Sequence, residues 1–374
     1  MNPRSPSRTR WVSLTLIVTV GVLVTALGCG AQFLRSVRAH SLGFVTLINA
    51  VGSFRIDGTT GLISEYSETA TTGSFHDLAI RSDGSKFFGS GPSSSARAYQ
   101  ITPRPVSLSA LTSPAVAFML SALRWTRSDR FLIAGTSDGK VETYGTSATS
   151  ELALIQTQSA GGSGSLVLKI ATHPEGRVVA VVSSSSPRLT TYLLSDEGLL
   201  TPAFQYANVG GSQAIELHPS GSFLYTGLVL SSYRVDGQSG EVVKIQTVSP
   251  AFVTSYSALT PEGSWLFVAN YSGSTHFSTI KSFSVDANSG LLTESASFSL
   301  EEYEQILSLA PHPDGGFLYG LTDQKKIHVF AINATDGSLR QVGVQATTGN
   351  VSNFDARSRL FTIRFQESIT SLQY

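Results

Sequence analysis

The chain carries one cysteine in 374 residues, no block of like charge and, beyond residue 42, no stretch with a sustained 3.6-residue apolar rhythm. The single Cys29 excludes an intrachain disulfide and any cysteine-based metal cluster. Charged residues make up 14% of the chain, and 26 basic side chains balance 26 acidic ones. Because the basic residues are scattered, the footprint that a phosphate backbone needs is missing, and nucleic acid is not an expected partner. The missing helical rhythm argues against a helical solenoid. No GxSxG elbow, HExxH helix or dinucleotide fingerprint occurs, and the serine-rich stretches 91–98 and 183–189 lack the lysine of a phosphate loop. No cofactor and no metal site is therefore expected.

Glycine is plentiful, at 34 residues, and it marks a recurring turn. An apolar run, a Pro/Ser-acid-Gly turn and a second apolar run appear as IRSDGSKFFGS (80–90), RWTRSDRFLIAG (124–135), IATHPEGRVVAVV (170–182), IELHPSGSFLYTG (215–227), ALTPEGSWLFVAN (258–270) and LAPHPDGGFLYGL (309–321). A decayed copy, FDARSRLFTIRF, ends the series at 354–365. With the copies anchored at Gly84, Arg130, Gly176, Gly221, Gly263, Gly315 and Ser358, the period is about 45 residues, the repeat of a β-propeller blade. Proline presets its own φ and glycine accepts positive φ, so the pair reverses the chain between antiparallel strands.

One unit divides into QAIEL, SFLYTG, LSSYRVD and EVVKIQTV, four strands in order, with a second turn of the type VDGQSG. The second strand is apolar throughout, as a strand covered on both faces should be, whereas the third and fourth mix polar and apolar residues like outer strands. At the ends, 44–67 reads as strands two to four and 350–374 as strands one to three. Closure by both termini is expected, because it removes free sheet edges. The expected fold is an all-β propeller of four-stranded antiparallel blades. Seven blades is the expectation, and eight remains open because the two ends overlap.

Residues 1–10 carry Arg4, Arg8 and Arg10 without an acid, and 11–28 form an uncharged apolar run, the layout of an export signal. The run ends Ala26-Leu27-Gly28-Cys29, which resembles the bacterial lipobox. That likeness implies a signal peptide over 1–28, lipidation of Cys29, a tether over 29–42 and a propeller over 43–374. An uncleaved anchor is the alternative, since about 18 apolar residues is near the lower length for a span. Either way the propeller lies outside the inner membrane by the positive-inside rule. The expected location is the cell envelope, outer-membrane-bound or facing the periplasm.

The pairings of TPEGSWLFVANYSG with FSVDANSGLL, and of HPDGGFLYGL with FAINATDGSL, resemble the seven-bladed lactonase-type propellers. That family contains bacterial 6-phosphogluconolactonase and fungal carboxymuconate-lactonising enzyme, and the resemblance covers roughly 43–374. It implies catalytic groups on the loops that enter each first strand around the channel, where the catalytic relatives place His and Arg. Those positions here include His76, Ser165, Gln213, Tyr256 and Glu304, polar but nearly devoid of cations.

Two functions follow. In the first, the channel or rim binds a small molecule, an envelope polymer or a protein, on a platform held at the membrane by a lipid anchor. In the second, a lactone hydrolase uses His76 or Glu304 as base. Ser165, Gln213 and Tyr256 would donate hydrogen bonds, and Glu216 is a further ligand-binding candidate beside the channel. His173, His218 and His312 each begin a turn in a different blade, so they read as turn-packing groups rather than metal ligands.

Overall fold

The structure, a computed structural model, describes residues 40–71, 73–90, 96–103, 106–111, 119–146, 152–160, 165–186, 188–206, 209, 214–248, 254–272, 277–301, 303–351 and 360–365. The export segment and Cys29 fall outside these residues, as does Gln213. The described residues form seven four-stranded antiparallel sheets and no helix. Blade 1 comprises 40–70 with 360–365, and blades 2 to 7 span 77–110, 120–159, 167–206, 215–247, 256–299 and 306–346.

Seven apolar clusters fill the spaces between blades. Each draws on two neighbours, and the one joining blades 7 and 1 (Tyr319, Leu321 and Val329 against Val45, Leu47 and Phe54) closes the ring. The cause is visible in each second strand: Phe131–Thr136 and Val178–Ser183 are buried at every position, because both faces of a blade meet another blade. The third strands are more buried than their composition suggests. Their small hydroxyls, such as Thr143, Thr191 and Ser232, have no exposed surface. After these hydroxyls comes a register shift and then an aromatic ring, as at Thr191/Tyr192, Ser232/Tyr233 and Ser282/Phe283. The bulge turns that ring into the space between blades, where full burial contributes about 2–3 kcal/mol. Only the fourth strands, such as Leu152–Ser159, carry alternating exposed residues at the rim.

Closure differs in detail from the sequence reading. The strand Leu360–Phe365 pairs antiparallel with His40–Leu47, from His40 opposite Phe365 to Val45 opposite Leu360. The run that follows the decayed turn thus serves as the first strand of blade 1, not its second. The described C-terminal residues supply that one strand, which settles the count at seven blades. The first described strand spans His40–Leu47.

The turns between first and second strands show why the glycines recur. Gly176, Gly221, Gly263 and Gly315 have φ of 77, 78, 84 and 79°, the left-handed region that glycine enters without penalty. A Cβ on Gly221 would stand 2.0 Å from the His173 ring, and one on Gly263 would stand 2.4 Å from His218. Each of these histidines packs under the turn of the next blade, the role expected of it. In blade 3 the equivalent position is Asp129, with φ 52°, and not the Arg130 anchor taken from the sequence. Its N–H donates to Thr126 O at 2.9 Å, as Gly221 donates to His218. The carboxylate that strains this position accepts both the N–H and the hydroxyl of Ser82 in blade 2, at 2.9 and 2.6 Å.

Candidate active site in the central channel

The first strand of a propeller blade has an inner edge with no further strand to pair with, and unpaired backbone groups there are costly when buried. Neighbouring blades supply partners. Leu123 N–H donates to Asp77 Oδ2 at 3.0 Å, and Trp125 Nε1 donates to Ala79 O at 3.2 Å. The Ser121 hydroxyl donates to Val167 O at 2.7 Å, and that of Thr172 to Trp125 O at 3.1 Å. These bonds hold the strands around a cavity of about 600 Å³, lined by the first strands of blades 2 to 7. Its wall reaches Ser82, Arg127, Asp129, Pro261 and Pro313, so it opens on the face that carries the first-to-second-strand turns.

Polar side chains line the cavity by strand alternation. Asp77, Arg124, Lys169, Glu216, Tyr256 and Ser308 all line it, and each stands two or four residues before the first residue of its turn. That even spacing puts them on one side of their strands.

The central group is Glu216. Its Oε1 accepts the Ser257 hydroxyl at 3.0 Å, across the boundary between blades 5 and 6. Burial in the cavity pushes its carboxyl up to about 7, opposed by the Arg124 charge, the Ser257 hydrogen bond and the Lys169 charge. Arg124 Nε is held by Ile170 O at 3.4 Å, which fixes the guanidinium against blade 4. A carboxylate that titrates near neutrality in a cavity shared with two cations can take a proton from water and return it, while the cations hold negative charge that develops on a bound carbonyl.

Of the residues singled out from sequence, Glu216 and Tyr256 line this cavity, whereas His76, Ser165 and Glu304 do not. His76 precedes the first strand of blade 2, and its N–H donates to Ser90 O at 2.9 Å. Ser165 is buried ahead of blade 4, with its hydroxyl accepting Ser185 N–H at 3.2 Å. Glu304 lies at the approach to blade 7, where its Oε1 is 2.8 Å from both Thr322 Oγ1 and His328 Nε2 and 3.6 Å from Lys326 Nζ. Burial would raise its carboxyl, but these hydrogen bonds and the His328 and Lys326 charges outweigh it and hold Glu304 below the usual range. The expectation of a channel poor in cations is corrected by Arg124 and Lys169, which lie inside the first strands rather than on the loops leading to them.

No family model and no curated protein matches the chain. Solved structures match at low identity and nearly full length. A periplasmic gluconolactonase of Pseudomonas aeruginosa superposes with a TM-score of 0.72 at 17% identity, covering 87% of this chain and 100% of its own. A Bacteroides fragilis protein provisionally assigned as a 6-phosphogluconolactonase superposes with 0.74 at 15%, over 88% and 99%. A Bacteroides uniformis protein with the same provisional assignment gives 0.71 at 14%, over 86% and 99%. These neighbours are lactonase-like seven-bladed propellers. At such identities the likeness to lactonase-like propellers carries the fold, and the chemistry rests on this chain's own channel.

Proposed function

We propose that the protein hydrolyses a lactone in its central channel, with Glu216 as general base. The observation that carries this reading is a carboxylate raised to about 7 in one cavity with Arg124 and Lys169, whose charges act on it. Ionised Glu216 takes a proton from a water as that water's oxygen attacks the lactone carbonyl. Arg124 and Lys169 stabilise the oxyanion. When the ring C–O bond breaks, the leaving alkoxide receives the proton from Glu216, giving a hydroxy acid and restoring the carboxylate. Tyr256 is placed to hydrogen-bond the ring substituents. The two activities named among the structural neighbours, gluconolactonase and 6-phosphogluconolactonase, support a sugar lactone as substrate.

The test is acid release in a pH-stat from aldonolactones at pH 7.5, with wild-type protein and the Glu216→Gln variant. Turnover abolished by the substitution supports the reading. Folded wild-type protein that hydrolyses no lactone overturns it and returns the channel to ligand binding alone, with a small molecule, envelope polymer or protein as partner.

The location belongs to the same proposal. A basic segment, an apolar run and Cys29 support export with a lipid anchor, and the periplasmic setting of one neighbour agrees with export. Mass spectrometry of the mature N-terminus checks it, since diacylated Cys29 is the expected first residue.

A further inference from the structure

Glu216 is not held by its own blade. Its neighbours in the first strand of blade 5, Ile215 and Leu217, belong to the apolar packing between blades 4 and 5. The hydroxyl that touches the Glu216 carboxylate comes from Ser257, on the first strand of blade 6 (Tyr256–Leu259). Ser257 lines the cavity too, but it stands three residues before its turn, out of phase with Tyr256 and Ala258 and in phase with Leu259, which packs toward blade 5. It therefore leans toward the preceding blade, where it meets Glu216. The next residues on that strand are anchored. Ala258 is in the cluster between blades 6 and 7, and Leu259 is in the one between blades 5 and 6, with Phe223, Tyr225 and Leu266.

We propose that Ser257 is a positioning residue, which fixes Glu216 Oε1 and leaves Oε2 as the oxygen that exchanges a proton with substrate water. The inference rests on the hydrolase reading of the channel. It makes the geometry of the base depend on the register between two blades. A carboxylate with one oxygen bonded loses a rotational freedom, and its remaining oxygen keeps a fixed direction into the cavity. The Ser257 hydroxyl also stabilises the ionised form, because a hydrogen bond to a charged acceptor is stronger than one to a neutral acceptor.

The experiment uses the full chain with Ser257→Ala, Ser257→Thr and Glu216→Gln, read in two independent ways. In lactone hydrolysis across pH 5 to 10, Ser257→Ala should move the acid limb of kcat up by about one pH unit, as expected for losing a hydrogen bond to a charged group. Activity at pH 7 should fall about fivefold, approach a tenfold loss at lower pH and recover at high pH, with KM unchanged. Ser257→Thr, which keeps the hydroxyl, should restore the profile. In parallel, the Glu216 carboxyl is titrated by infrared difference against Glu216→Gln, and Ser257→Ala should show the same upward displacement without any substrate.

A loss of kcat that is equal at every pH, or an unmoved carboxyl titration, overturns the proposal and leaves Ser257 a packing residue. If the wild-type protein hydrolyses no lactone, the function proposed above fails by itself. The infrared titration then decides whether Ser257 controls Glu216.

Discussion

Glu216 in blade 5 and Glu304 at the approach to blade 7 are both glutamates in enclosed positions, and their surroundings drive them in opposite directions. Glu304 faces Thr322, His328 and Lys326, and its proton affinity is lowered. Glu216 receives one hydroxyl at 3.0 Å and meets its cations across a cavity, and its carboxyl rises to about 7. A carboxylate with its partners in contact is a structural tie, and one left short of partners is poised to exchange a proton. The first ties the loop before blade 7 to the sheet, and the second is available to a ligand.

The sharpest way to break this contrast is to neutralise each in turn. Glu216→Gln should lower kcat/KM for lactone hydrolysis by about 100-fold or more, the range for loss of a general base. Glu304→Gln should leave it within about threefold. Equal losses would mean that the two carboxyls are not different in kind.

Stability should rank them the other way. Glu304→Ala leaves the buried His328 ring without its carboxylate acceptor, at a cost of about 2 kcal/mol in denaturant unfolding. Glu216→Ala removes a carboxylate that burial disfavours, so its unfolding midpoint at pH 8 should stay level or rise.

The same contrast has a pH signature of known sign. Folding raises the Glu216 value from 4.5 to about 7, so the stability linked to this group is complete below 4.5 and is lost as pH rises toward 7. Glu216→Gln should therefore unfold like wild type at pH 4 and be more stable by up to about 3 kcal/mol at pH 8. Glu304, whose value is lowered, contributes stability above 4.5 that disappears as pH falls through its folded value. Paired denaturant titrations of both Gln variants at pH 4 and 8 separate the two slopes.

Much of the ring was legible in sequence because its turns leave little chemical choice. A left-handed turn position selects glycine, and so Gly176, Gly221, Gly263 and Gly315 mark the period without any alignment. Where another side chain takes that position the register slips, which is why blade 3 was anchored at Arg130 instead of Asp129. The site was harder to read because the loops entering the first strands drew attention away from the strands themselves. Arg124, Lys169 and Glu216 sit in short apolar runs, ALRW, VLKIA and AIEL, where a lone charge is a signal. Glu216 is placed beside the channel by its strand, and counting back an even number of residues from each turn puts Arg124 and Lys169 there as well. Ser257, at an odd count, carries no such signal, because its contact depends on how two blades face each other.

Removing the channel cations should sharpen the contrast by a smaller amount. Lys169→Met and Arg124→Met each take away a charge that favours ionised Glu216, so each should raise the acid limb of the rate profile by about one pH unit. The same substitutions should not change the infrared titration of Glu304, since neither cation is among the causes of its shift.

Asp129 supplies a third case, in which a carboxylate and its backbone oppose each other. The left-handed φ of 52° is strained for a residue with a Cβ, and Asp129→Gly should recover about 1 kcal/mol of it. The substitution also deletes the acceptor for both the N–H and the hydroxyl of Ser82, and hydrogen bonds to a charged group are worth about 1.5–3 kcal/mol. The second effect, counted over two bonds, exceeds the first, so the variant should be less stable by about 2 kcal/mol or more, measured as a shift in the denaturant midpoint. A more stable variant would mean that the tie between blades 2 and 3 contributes less than the strain it imposes. Asp129 would then be retained for its place on the cavity wall, and its loss should appear in lactone turnover instead.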